Sequence, residues 1–101
     1  GGPDGACTNA KDQEIVDTTD VEAISYDCAL KNLGNAEKAT QCIQDATGLS
    51  DACVVCFGEV NSCGMSKCLA QCIQPQSDKC TQCIDANCMP AFEACSGLST
   101  D

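Results

Sequence analysis

The sequence contains no arginine, no histidine and no tryptophan, and each absence removes a class of function. Without histidine there is no Ser-His-Asp or Cys-His pair for nucleophilic catalysis and no imidazole for a mixed zinc site. With only five lysines (Lys11, Lys31, Lys38, Lys67, Lys79), there is no basic cluster for nucleic acid, phosphate or anionic lipid. Tyr26, Phe57 and Phe92 are the only aromatic residues, so the side chains that bury most area contribute little core. No apolar run is long enough for a signal-peptide core or a membrane span. The fifteen acids are scattered, with no spacing that sets two carboxylates in one pocket for acid–base chemistry. These absences point to a protein that is not an enzyme and needs no cofactor.

What the chain has instead is sulfur. Twelve of its 101 residues are cysteine, a density typical of disulfide scaffolds. Much of the remaining apolar content is alanine, and so thin a core does not offset chain entropy by burial alone. Bridges worth about 2–4 kcal/mol each are expected to supply the difference. An oxidising compartment follows: secretion to the extracellular space or, as the alternative, an organelle lumen such as that of the thylakoid. The start at Gly1-Gly2-Pro3, without Met, is expected to follow removal of a targeting peptide.

Charge is one-sided, with a net value of −10. Seven of the acids fall within the first 27 residues: Asp4, Asp12, Glu14, Asp17, Asp20, Glu22 and Asp27. Residues 1–19 read as an acidic N-terminal arm, extended over 1–12, tied down by Cys7, with a short helical turn around Gln13–Val16. Individually, such acids keep a protein soluble or complement helix dipoles. Together, Asp12, Glu14, Asp17, Asp20 and Glu22 are candidate docking residues for a protein partner with a basic surface. The stretch Asp12–Asp20 lacks the ligand spacing and central Gly of an EF-hand loop.

Beyond the arm, apolar residues recur at helical spacing, which predicts an all-α bundle of about five short helices in one domain. The first covers 20–34, capped by Asp20 and stopped by Gly34, with Val21, Ile24, Tyr26, Cys28, Leu30 and Leu33 as one broad apolar face. The second runs over 36–47 between Asn35 and Gly48, burying Ala36, Ala39, Cys42, Ile43 and Ala46. The third starts at Ser50, with Leu49 and Val54 as a hydrophobic staple, shows Cys53, Cys56, Phe57 and Val60, and ends near Gly64. A fourth is expected from Ser66 to just before Pro75, carrying Cys68, Leu69, Cys72 and Ile73. A fifth opens at Ser77 with Cys80, Cys83 and Ile84. A last short helix has Pro90 in its first turn, buries Met89, Phe92 and Cys95, and closes at Gly97 with Leu98 following.

An internal repeat lies within this pattern. Thr40-Gln41-Cys42-Ile43-Gln44 matches Ala70-Gln71-Cys72-Ile73-Gln74, and Cys53-Val54-Val55-Cys56-Phe57 matches Cys80-Thr81-Gln82-Cys83-Ile84. The reading is a duplicated helical hairpin, with one copy over 35–65 and the second, plus the terminal helix, over 66–101.

The number of possible pairings of twelve cysteines is on the order of ten thousand, so connectivity needs geometry. Cys68 and Cys72 share a helix face, as do Cys80 and Cys83. Folding the chain about Pro75–Gln76 sets Cys72 against Cys80 and Cys68 against Cys83. This nested spacing over residues 66–86 resembles the α-hairpinin peptides, whose two-helix disulfide scaffold the resemblance implies here. The same logic in the first hairpin pairs Cys42 with Cys53. Lys38 stands where a second cysteine would be, which sends Cys56 to Cys28. Cys7, Cys63, Cys88 and Cys95 remain as bridge cysteines without an assigned order.

Two other uses of the C-x2-C pairs were weighed. A four-thiolate zinc site would need a Gly after each pair, where Phe57 and Ile84 stand, and iron–sulfur spacing is absent. A redox dithiol would want a strand framework and a nearby cation. The sequence therefore favours an accessory structural subunit of a larger assembly. The first alternative is a secreted signalling ligand, since acidic, helical, cysteine-rich chains are similar in general character to the mating pheromones of ciliates. The second is a thiol redox or metal-binding protein. If all twelve thiols are bridged, the intact mass lies about 12 Da below that of the reduced chain, two hydrogens per bridge; native-state alkylation would contradict this.

Overall fold

Residues 5–33, 35–73 and 77–98 are described in a computed structural model of the chain. They form six helices and no strand: α1 (Ala10–Thr18), α2 (Val21–Lys31), α3 (Ala36–Thr47), α4 (Asp51–Lys67), α5 (Asp78–Asn87) and α6 (Met89–Ser96). The chain is all-α, stapled by six disulfides. Short polar side chains set the helix starts. Asn9, Asp20, Asn35, Ser50 and Ser77 each accept a hydrogen bond from the backbone N–H three residues on, satisfying a donor that has no partner inside the helix. α3 and α6 stop at Gly48 and Gly97, whose φ of 80° and 76° is costly for any residue with a Cβ. The expected stop at Gly34 and the fold point at Pro75–Gln76 lie outside the described residues.

Three expectations about elements are corrected. The N-terminal segment is not an extended arm: Asn9 caps a nine-residue helix, α1. Its apolar residues are too few to show a period, which is why the pattern missed it. Residues 5–9 precede α1 and are docked, with the Ala6 and Cys7 N–H groups donating to Cys95 O and Ser96 O at 3.0 and 2.8 Å. The helix that opens after Ser50 does not end near Gly64 but runs to Lys67. Gly64 is buried facing Ile84 of α5, so packing overrides its weak helix propensity. Among the described residues, no separate helix forms from Ser66 to Ile73. Ser66 belongs to the last turn of α4, its Oγ donating to Ser62 O at 3.0 Å. Cys68 caps that helix, and residues 69–73 follow in turns and a bend.

The bridges differ from the expected network as well. Cys68–Cys83 and Cys72–Cys80 join the end of α4 and the turn after it to α5. Cys42, however, pairs with Cys28 across α2 and α3, and not with Cys53. Cys53 pairs with Cys7, and Cys56 pairs with Cys95 rather than with Cys28. The last bridge is Cys63–Cys88. The physical reason lies in how α3 is rotated. It packs between α2 and α4 with Ile43 fully buried and Cys42 only half-buried. Burying the larger side chain contributes more, and this turns Cys42 toward α2. With Lys38 exposed at the position matching Cys68, no second thiol holds α3 in the opposite orientation.

The core is small. Among the described residues, Ile43 and Leu49 are the only large aliphatic side chains that are fully buried, alongside seven cysteines. Val21 and Val54 complete it, and Ile15, Ile24, Phe57 and Leu98 pack against it. Both residues of the Leu49–Val54 staple are buried. Phe57 and Phe92 meet edge to face, with centroids 4.9 Å apart, joining α4 to α6; such a pair contributes roughly 0.5–1.5 kcal/mol beyond area burial.

Asp12, expected at a docking surface, is fully buried. Its carboxylate accepts from Ser50 N at 2.9 Å, from Ser50 Oγ at 2.6 Å and from Asn9 Nδ2 at 2.6 Å. It thereby ties the start of α1 to the start of α4. Burial pushes its carboxyl up, but the Ser50 and Asn9 hydrogen bonds and the Lys11 charge prevail and hold it below 3.8. Asp12→Ala should destabilise the fold by about 1–3 kcal/mol at neutral pH, measured by thermal or denaturant unfolding with bridges intact. A depressed carboxyl contributes stability above its unfolded value and loses it as pH falls through the folded one. The gap between wild type and Asp12→Ala should therefore hold down to about pH 5 and shrink on further acidification; a gap independent of pH would exclude the ionised role.

Candidate binding cleft

α2 packs on one side of α4, and α5 and α6 on the other. Between these walls lies a cleft of about 680 Å³. α4 provides the floor through Phe57, Val60, Asn61, Gly64 and Met65; Ile84, Met89 and Phe92 form the far wall. The near wall comes from a face of α2 that the sequence reading merged with the core. Val21, Ser25 and Cys28 form the buried stripe of α2. The neighbouring row Glu22, Tyr26, Ala29 and Leu30, continued by Leu33, lies about one residue around the helix and lines the cleft.

This corrects the expected core. Leu30 and Leu33 are 54% and 60% exposed, and Leu69 and Ile73 are 58% and 78% exposed. All four line the cleft. Leu69 and Ile73 were expected on the buried face of a fourth helix. Because that segment runs as turns tied to α5 by Cys72–Cys80, they form an open lip. Exposed leucines and isoleucines gathered at one place mark a contact surface more strongly than the same residues scattered singly.

The charged residues lining the cleft are all acidic: Asp17, Asp20, Glu22 and Asp85. None of the five lysines lines it. Lys31, the lysine on α2, pairs with Asp27 at 2.9 Å with both side chains largely exposed. Of the docking residues expected from sequence, Asp17, Asp20 and Glu22 are thus brought together at the rim. Asp12 is buried elsewhere, and Glu14 is exposed on α1 without lining the cleft. Asp85, on the opposite wall, had no local signal, because only the α4–α5 packing carries it there.

Two polar groups border this apolar space. Tyr26 Oη lies 3.6 Å from Cys80 Sγ, a contact from α2 to α5. Its phenol is pushed above 10.0 by burial first, and then by the charges of Glu22 and Asp85. Ser25, where α2 meets the floor, is 7% exposed, and its Oγ is buried without a hydrogen-bond partner. The Ser25 carbonyl beside it accepts from Asn61 Nδ2 at 3.2 Å.

All twelve cysteines are paired. The C-x2-C motifs split between partners, with Cys53 and Cys56 bonded to Cys7 and Cys95, and Cys80 and Cys83 to Cys72 and Cys68. Among the described residues, no three Cys, Asp or Glu side chains gather as a metal-binding group, and no helix is long and apolar enough to cross a membrane. No protein-family model, curated protein or solved structure matches the chain.

Tyr26 is the only tyrosine, so its ionisation is a direct gauge of the cleft. Its absorbance titration near 295 nm should give a midpoint above the ordinary tyrosine value. Glu22→Gln combined with Asp85→Asn should move the midpoint back down. An unmoved midpoint would separate the phenol from the rim charges.

Proposed function

We propose that the protein is a non-enzymatic interaction protein, an accessory subunit of a larger assembly in an oxidising compartment. It holds a positively charged partner protein in the acid-rimmed apolar cleft. One observation carries this reading: Leu30, Leu33, Leu69 and Ile73, all more than half exposed, share one cleft whose charged lining residues are all acids. Apolar lips of this kind gain free energy when a partner covers them. The carboxylates around them select a basic partner and raise its rate of encounter. Six bridges support an extracellular or lumenal setting, where thiols stay oxidised.

The reading is tested in the native compartment. A photo-crosslinking residue at Ile73 should capture one protein, and the adduct should vanish when Leu30→Asp and Leu69→Asp are introduced together. The same crosslinker at Val55, which is exposed outside the cleft, should not capture that protein. Equal capture from both positions would remove the cleft from the function.

A further inference from the structure

We propose that the occupant of the cleft is a single amphipathic helix of the partner. It carries lysine or arginine on both flanks of its apolar stripe. This deepens the function proposed above and rests on it.

Shape is the first argument. α2, α4, α5 and α6 all line the cleft, and α4 packs against each of the other three. A trough between two helices that both lie on a third is where a further helix packs in a bundle, ridges into grooves. The lips are the second. A small amphiphile sunk between the walls leaves Leu30, Leu33, Leu69 and Ile73 in water. Only a broader apolar surface covers the floor and the lips together. An apolar helix face anchored at i, i+3, i+4 and i+7 has that breadth.

Charge is the third argument, and it chooses among macromolecules. Asp17, Asp20 and Glu22 stand on one side and Asp85 on the other. A second copy of this chain would set four more carboxylates against these four, so the face is unsuited to self-association. A helix with cations on both flanks meets each wall with opposite charge.

The experiment uses the full oxidised chain and fluorophore-labelled synthetic peptides of about 18 residues, close to five turns. The parent has a Leu/Ala stripe and lysine flanks. Controls replace Lys with Glu, or rearrange the same composition around two central prolines that break the helix. Anisotropy should report binding of the parent that weakens with salt. The variant Asp17→Asn, Asp20→Asn, Glu22→Gln, Asp85→Asn should weaken it at least tenfold. That variant should fold, because Asn caps a helix about as well as Asp at position 20, and circular dichroism checks this. Equal binding of the proline-broken control overturns the helix and leaves the protein-partner function standing. Equal binding of the Glu peptide overturns the charge assignment and the inference with it. If no peptide binds, the inference falls, and the crosslink from Ile73 decides the function proposed above on its own.

Discussion

Covalent anchoring to one rod governs this structure. Cys53, Cys56 and Cys63 lie on α4 and Cys68 caps it, and these four reach the N-terminal segment, α6, the α5–α6 junction and α5. Apolar burial could not do this alone, with Ile43 and Leu49 the only large aliphatic side chains fully withdrawn from water among the described residues. The anchoring also explains the cleft. In a fold held together by burial, a trough lined by Tyr26, Leu30, Met65 and Ile84 would tend to close on itself. Here α5 and α6 are held against α4 by bridges, and α2 against α3 by Cys28–Cys42. The walls meet where Tyr26 touches Cys80, and elsewhere the bridges hold each wall on its own neighbour.

The acids illustrate how one residue type takes different roles from its surroundings. Asp12 is enclosed and saturated by Ser50 and Asn9, so it behaves as a structural clamp between two helix starts. Asp20 caps α2 and also stands at the cleft rim. Burial first, and then the charges of Glu22 and Asp85, hold the Tyr26 phenol protonated to higher pH. A carboxylate beside an apolar, partly desolvated surface acts over a longer range than one in open water. On the proposed reading, position relative to the trough, more than the net charge of −10, selects the acids that would meet a partner.

The two matching sequence segments fold differently. In the first, the matched cysteines Cys42 and Cys53 turn to separate partners, and both legs are full helices. In the second, Cys72 and Cys80 bond directly, and the leg before them is reduced to turns after Cys68. The difference traces to one position. Cys68 clamps the second leg to Cys83, whereas Lys38 leaves the first leg free to rotate until Ile43 is buried. That shortening of the second leg is what puts Leu69 and Ile73 at the lip.

Sequence by itself determined the helical class, the caps at Asp20, Asn35, Ser50 and Ser77, the stops at Gly48 and Gly97, and the dependence on sulfur. These rest on local chemistry: a side-chain oxygen three residues from an unpaired N–H, a Gly that accepts positive φ, a composition too poor in large side chains to form a sufficient core. It also marked Asp17, Asp20 and Glu22, because they crowd one stretch of chain. Tertiary structure alone decided that Asp12 is buried by Ser50, thirty-eight residues away, that Cys42 faces Cys28, and that Asp85 joins the rim. Each of these depends on how a helix is rotated about its axis and which neighbour it meets. Rotation is set by competing burials over the whole chain, and no local pattern records the outcome.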